Sequence, residues 1–189
     1  MTALDPKSPL VLDLRALALQ RRPGSMVEVE RELSGPDDLG VPMARVPAGS
    51  EILVQVRLES VLEGVLVTGT AEVEVEGECA RCLESLNWDE AVEFRELFVY
   101  PATDARGAMV EDPTEDDVLP VVENECIDLE PLLRDALIPA LPMAPLCDPD
   151  CAGLCPTCGV RLDNDPGHAH EQLDPRWAAL ADLLEQPDK

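Results

Sequence analysis

The stretch 147–170, C-D-P-D-C-A-G-L-C-P-T-C-G-V-R-L-D-N-D-P-G-H-A-H, gathers four of the chain's seven cysteines and both of its histidines into 24 residues. Thiolate sulfur and imidazole nitrogen are the usual ligands of zinc, which holds them tetrahedrally at about 2.3 Å and about 2.0 Å. The remaining residues are chiefly Pro, Gly, Asp and Asn, the residues of turns. A segment so poor in apolar side chains cannot order itself by burial, because fixing each residue costs roughly 1–2 kcal/mol of backbone entropy. A bound metal is the simplest source of that order.

A second pair lies upstream in G-E-C-A-R-C-L, where Cys79 and Cys82 have C-x-x-C spacing. In a tight turn that spacing lets both thiolates reach one tetrahedral ion. A lone C-x-x-C carries little weight, but here it stands with Cys155 and Cys158 in a second C-x-x-C, Cys147 and Cys151 in a C-x-x-x-C, and His168 and His170 in an H-x-H. Eight candidate ligands divide into two fours. In one partition Cys155, Cys158, His168 and His170 close on one ion, with Gly159 and Gly167 able to take positive φ where the turn needs it. Cys79, Cys82, Cys147 and Cys151 then form a second site that staples the tail to residues more than sixty positions away, so that its removal frees the tail as a unit. In the rival partition Cys147, Cys151, Cys155 and Cys158 share an ion, leaving Cys79 and Cys82 with the histidines or idle. The first is favoured because a short loop does not easily fold four close cysteines around one ion; the rival stays open. Cys126, alone between Glu125 and Ile127, reads as a buried small hydrophobe.

The competing chemistry is thiol redox. It needs a cysteine at a helix N-terminus to lower its pKa, and neither C-x-x-C has that setting: Cys79 falls between strands, and C-P-T-C-G sits among turn residues. Seven cysteines, an odd number, in a chain without a recognisable signal peptide point to a cytosolic protein that uses them for metal, not disulfides. No apolar run approaches the ~20 residues that span a bilayer. Enzyme fingerprints such as a phosphate-binding loop, a dinucleotide motif or a nucleophile elbow are absent from the sequence. A catalytic zinc would need an open position beside three protein ligands, whereas the count here fills two sites.

The elements that must position these residues are mostly strands. Ile52, Val54, Val56 and Leu58 alternate with polar residues, and after Glu63-Gly64 so do Val65, Val67, Ala71, Val73 and Val75, which predicts an antiparallel hairpin with one buried face. A third strand over about 87–100, carrying Trp88, Val92, Phe94 and Phe98, completes a meander, with Cys79 and Cys82 between its second and third strands. Upstream, Val11, Leu12 and Leu14, then Met26, Val27 and Val29, predict two strands around the turn Arg21-Arg22-Pro23-Gly24. Arg15, Arg21, Arg22 and Arg31 make this the most basic region. Residues 35–49 form a Gly/Pro-rich link, and about 101–120 an acidic, solvated loop. Asp128 is placed to cap a helix with Pro131 in its first turn and Leu132, Leu133, Ala136 and Leu137 on one face; Pro139 is expected to stop it. Pro142 and Pro145 keep the approach to Cys147 extended. After the cluster, Asp174-Pro175 starts a final helix with Trp177, Leu180 and Leu184 along one side.

The fold class expected is therefore α+β: an antiparallel meander, as sheet or partial barrel, packed by one or two helices and followed by a zinc-binding tail. The division is 1–145 for the β-rich domain and 146–189 for the tail. A hydrophobic fraction of 46% in 189 residues supports a real core, though 3% aromatics and 18 prolines mean one of Val, Leu and Ala with irregular connections. Thirty-nine acidic against fourteen basic residues give a net charge of −25, which disfavours non-specific contact with phosphate backbones or anionic lipid. Zinc does not offset this: a four-thiolate site carries −2, and a site of two thiolates and two neutral imidazoles carries none.

The order G-E-C-A-R-C-L, a helix ending I-P-A-L-P, then C-D-P-D-C-A-G-L-C-P-T-C-G-V-R-L-D and D-P-R-W-A-A-L-A-D-L-L resembles the YceD family, also called DUF177, the large ribosomal RNA subunit accumulation proteins. The resemblance runs over nearly the whole chain. It implies a non-enzymatic role in accumulation or processing of large-subunit (23S) ribosomal RNA. It matches Cys79 and Cys82 to the family's central pair, and Cys147, Cys151, Cys155 and Cys158 to its tail block. Relatives close that block with C-x-C where this chain has His168-Ala169-His170, an exchange of one zinc ligand for another. Other relatives keep the central pair without Cys155 and Cys158, which makes the linking site the structural constant. Two functional readings follow: a ribosome-assembly factor acting on large-subunit RNA or its precursor particle, and an acidic zinc-stabilised module whose direct partner is a basic ribosomal protein. No small-molecule substrate is evident.

Overall fold

The computed structural model describes residues 4–5, 7–101 and 119–170. In chain order these form β1 (Val11–Asp13), β2 (Met26–Ser34), β3 (Gly40–Val41), β4 (Ala44–Arg45), β5 (Glu51–Ser60), β6 (Gly64–Glu78), β7 (Ser85–Val99), β8 (Cys126–Asp128) and the helix α1 (Glu130–Ala140). The class is α+β, with antiparallel sheets and, among the described residues, one α-helix.

The meander is the frame. β6 is its central strand, fifteen residues long and paired along its whole length with β7. On its other side it pairs first with β5, over 65–73, and then with β4 at Gly77 and Glu76. β2 lies outside β5. The strands β2, β3 and β7 lie at the edges, so the sheet stays open. Alternation sets the register: Ile52, Val54, Val56 and Leu58 face the core with Val65, Val67, Ala71, Val73 and Val75. Burying such a side chain contributes roughly 1.5–3 kcal/mol, and a one-residue slip would turn the whole row outward. The helix lays Leu132, Leu133 and Leu137 onto the same core, which also receives Phe94, Phe98 and Ile127.

The amino-terminal expectation needs correction. The two early strands exist but do not pair: β1 joins β8 in a separate two-stranded sheet, Leu12 opposite Ile127, while β2 pairs with β5. The physical reason lies at Asp13, whose Oδ1 accepts the N–H groups of Arg15 and Ala16 and turns the chain straight out of β1. With Val11, Leu12 and Leu14 all buried, β1 is an interior strand with no solvent face to share with β2. The Arg21-Arg22-Pro23-Gly24 turn is therefore not a hairpin tip, and Arg21 is engaged by the Glu125 carboxylate and by the Tyr100 ring, 4.4 Å away.

Other boundaries shift less. The third meander strand starts at Ser85, and the link 35–49 contains the short β3–β4 hairpin. The helix N-cap is Leu129, while Asp128 Oδ1 accepts the Glu130 N–H at 3.0 Å. Pro139 lies inside the last turn and does not end it; that turn closes with Leu141 N–H on Leu137 O at 3.2 Å. Most of the expected acidic loop, and the final helix with Trp177, Leu180 and Leu184, lie outside the described residues. Cys126 is buried at 3% exposure, on β8.

Candidate metal centres

The six residues between β6 and β7 must reverse the chain while presenting Cys79 and Cys82. Two backbone hydrogen bonds close this turn: Cys79 N–H donates to Glu84 O at 2.8 Å, and Leu83 N–H to Cys79 O at 2.9 Å. Leu83 takes φ +60° to make the reversal. Residues 155–160 repeat the pattern position for position. Cys155 N–H donates to Val160 O at 2.8 Å and Gly159 N–H to Cys155 O at 2.8 Å, with Gly159 at φ +74°. The chain thus builds one cysteine knuckle twice. Gly167, the other glycine expected to supply a positive φ, does not take one.

The tail docks on the first knuckle through its backbone. Ala80 N–H donates to Pro145 O at 2.8 Å, and Leu154 N–H to Arg81 O at 3.2 Å. The Arg81 guanidinium, in the middle of C-A-R-C, donates to the carbonyls of Pro149 at 3.2 Å and Cys151 at 2.9 Å. Gly153, at φ +79°, leaves room for that approach: a Cβ there would sit 3.0 Å from Arg81 O. Cys147 and Cys151 are thereby brought to Cys79 and Cys82.

Cys79 Sγ lies 3.9 Å from Cys151 Sγ and Cys82 Sγ 3.5 Å from Cys147 Sγ, and all four sulfurs fall within 4.8 Å of one another. A tetrahedron with sulfur ~2.3 Å from its centre has edges of about 3.8 Å, so these spacings fit a zinc-sized ion. They are far beyond the ~2.05 Å of a disulfide, and the cysteines are free. In the second group, Cys158 Sγ is 3.2 Å from the Nε2 of both His168 and His170, which are 2.9 Å apart, and Cys155 completes the four. His168 Nδ1 is 3.5 Å from Asp165 Oδ2, an arrangement that orients the ring with Nε2 toward the cluster. The eight residues therefore meet in the first of the two partitions; Cys147 and Cys151 do not gather with Cys155 and Cys158.

The sulfurs are not electrostatically alike. Backbone N–H groups, that of Cys147 first and then that of Cys82, hold the Cys79 thiol down at about 6; those of Cys158 and Thr157 do the same for Cys155, also about 6. Thiolate is thus favoured at the first position of each knuckle, at Cys155 by the knuckle's own N–H groups and at Cys79 first by the docked tail and then by the knuckle. Burial instead pushes Cys147 up to about 12 and raises Cys151 as well. Such a cluster cannot ionise fully by itself, and a divalent cation is what would let it.

A polar shell surrounds the four-cysteine group. Arg161 sets Nη1 2.8 Å from Glu84 Oε2, Nε 3.5 Å from Asp163 Oδ2 and Nη2 3.7 Å from Cys147 Sγ. Asp163 Oδ1 accepts the Ala152 N–H at 2.9 Å, and its Oδ2 is 3.6 Å from Cys151 Sγ. The Ala152 N–H, then Arg161, holds the Asp163 carboxyl below its ordinary range. Sequence reasoning passed over Arg81, Arg161 and Asp163. The signal for Arg161 was the need for a cation beside a site of net −2 in an acidic chain.

A family model described as "Large ribosomal RNA subunit accumulation protein YceD" matches residues 67–184, a span that holds all eight of these residues. The chain belongs to the YceD family. Its relatives include "Uncharacterized protein Rv2926c" of Mycobacterium tuberculosis, 44% identical over 177 residues that cover 94% of this chain and 82% of that one. "Uncharacterized protein ML1660" of Mycobacterium leprae is 37% identical over the same share of this chain and 78% of its own. "Uncharacterized protein YlbN" of Bacillus subtilis is 30% identical over 116 residues, 59% of this chain and 61% of its own. No solved structure matches the chain. The YceD description names a role in accumulation of the large ribosomal RNA subunit. No helix among the described residues is long and apolar enough to cross a membrane.

Proposed function

We propose that this YceD protein is a non-enzymatic ribosome biogenesis factor that supports accumulation or processing of 23S ribosomal RNA, held in shape by two structural zinc ions. Cys79, Cys82, Cys147 and Cys151 ligate one ion, Cys155, Cys158, His168 and His170 the other. The observation that carries the zinc reading is the joining of two remote cysteine pairs at tetrahedral spacing, 3.5 and 3.9 Å across the junction of meander and tail. Both ions have a full complement of four protein ligands, the pattern of structural and not catalytic zinc. The ribosomal part of the reading is carried by the family.

A second observation bears on what the protein touches. The outer face of the sheet exposes Glu28, Glu30, Glu32, Glu72, Glu74 and Glu93, opposed there by Arg57 and Arg95. Such a face repels phosphate and attracts cationic groups. The direct contact is therefore with a basic protein of the large-subunit precursor, and the effect on RNA follows from it. The test is a pull-down of the tagged full chain from cells, repeated after nuclease treatment. Retention of a basic large-subunit protein with RNA removed is the expected result; loss of every ribosomal component with the RNA would refute the protein-contact reading, and their absence from both arms would refute the biogenesis role.

A further inference from the structure

We propose that Arg161 couples the two metal centres, so that closing the Cys155/Cys158/His168/His170 centre holds a guanidinium against the four-thiolate centre and tightens its grip on metal. This rests on the reading that both clusters bind metal. The argument starts from the base of the second knuckle. Leu154 and Arg161 pair across it in an isolated bridge, flanking Cys155 on one side and Val160 on the other. Both members of that pair reach the first centre: Leu154 N–H donates to Arg81 O at 3.2 Å, and Arg161 Nη2 lies 3.7 Å from Cys147 Sγ. Arg161 also spans to Glu84, which accepts the Cys79 N–H that closes the first knuckle.

The chemistry gives the contact its direction. A divalent ion with four thiolates carries a net −2, and in a chain of net charge −25 no general positive field relieves it. N–H donors to a coordinating sulfur withdraw charge from it, and groups of this kind typically alter metal affinity about 10–100-fold. Arg161 is such a donor, and its place depends on the loop 155–160 being closed. Metal at the second centre ties Cys155 and Cys158 to His168 and His170, ten or more residues on, and so fixes the strand register that aims Arg161. Without it, the two short backbone hydrogen bonds of the knuckle act alone. Linkage makes the effect reciprocal: the four-thiolate ion, by holding Arg161, also favours the second centre.

The test uses the full-length protein loaded with cobalt(II), whose thiolate-to-metal charge-transfer absorbance grows with the number of thiolates and so distinguishes the two centres, followed by release to a chromogenic chelator. Five forms are compared: wild type, Arg161→Ala, Arg161→Lys, His168→Ala/His170→Ala, and that double variant combined with Arg161→Ala. Arg161→Ala, which keeps every ligand, is expected to release the four-thiolate ion on the order of 10-fold faster and to shift its charge-transfer band, with Arg161→Lys partly restoring both. The histidine double variant is expected to show the same acceleration at a centre whose own ligands are intact. Adding Arg161→Ala to that background should then change little, because the two changes act through one contact. Release of the four-thiolate ion at the wild-type rate in Arg161→Ala, or effects that simply multiply in the combined variant, would overturn the coupling while leaving the metal reading standing. A wild-type protein that takes up no cobalt or zinc would overturn both.

Discussion

At the level of single residues, the two knuckles make an internal comparison. At the position after the second cysteine, one has Gly159 and the other Leu83, both at positive φ. For a residue with a Cβ that conformation costs roughly 1–2 kcal/mol, and Leu83 gains little burial in exchange, being 57% exposed. Leu83→Gly should therefore stabilise the protein by about 1 kcal/mol, part of the relieved strain being returned as unfolded-chain entropy; a urea titration with unchanged slope checks it. The pH behaviour follows from the first cysteines. Cys79 and Cys155 are held at about 6, below the ordinary thiol value, so their thiolates stabilise the fold above that ordinary value and the contribution is lost as pH falls through about 6. Protons compete with metal for the same sulfurs. Acidification should thus release zinc and loosen the tail together, followed by chelator absorbance and circular dichroism in one titration; zinc release that leaves the tail in place would contradict this. The gathering of the eight Cys and His residues into two fours was legible in the sequence because their types and spacings are those that metal ligands take. Arg81, Arg161 and Asp163 were not, because an arginine or aspartate has many uses and theirs exists only once two remote knuckles have met.

At the level of elements, legibility tracked the strength of the hydrophobic period. The strands β5, β6 and β7 alternate cleanly, and so they could be read from Ile52, Val54, Val56 and Leu58, from Val65, Val67, Ala71, Val73 and Val75, and from Trp88, Val92, Phe94 and Phe98. The pairing of β1 with β8 could not. Three-residue strands carry too little pattern, and Leu12 meets Ile127 across more than a hundred residues that include the entire meander. That small sheet is nonetheless structural. Ile127 is fully buried, and Ile127→Ala should cost about 2–5 kcal/mol, read as a lower denaturation midpoint. Pro139 shows the opposite error: a residue that disfavours a helix interior is tolerated in the last turn, where one missing N–H leaves the closing bond from Leu141 intact.

At the level of the whole molecule, the proposed four-cysteine centre sits where the tail meets the meander, with Cys147 and Cys151 of the tail gathered on Cys79 and Cys82. It joins residues more than sixty positions apart, beside backbone contacts at Ala80, Arg81 and Leu154 and a small cluster in which Leu86 and Leu154 pack on the cysteines. Without the ion, those contacts should open as a unit while the sheet core stays closed. The net charge of −25 sharpens the point, since nothing in the global electrostatics draws an acidic tail onto an acidic domain. The account therefore turns on two metal ions, one in each centre. Native mass spectrometry of the zinc-loaded chain tests it most directly, on wild type, Cys79→Ser and His168→Ala. The account predicts two ions per wild-type chain and one in each variant; a wild-type chain that holds none, or a Cys79→Ser variant that keeps both, would contradict it.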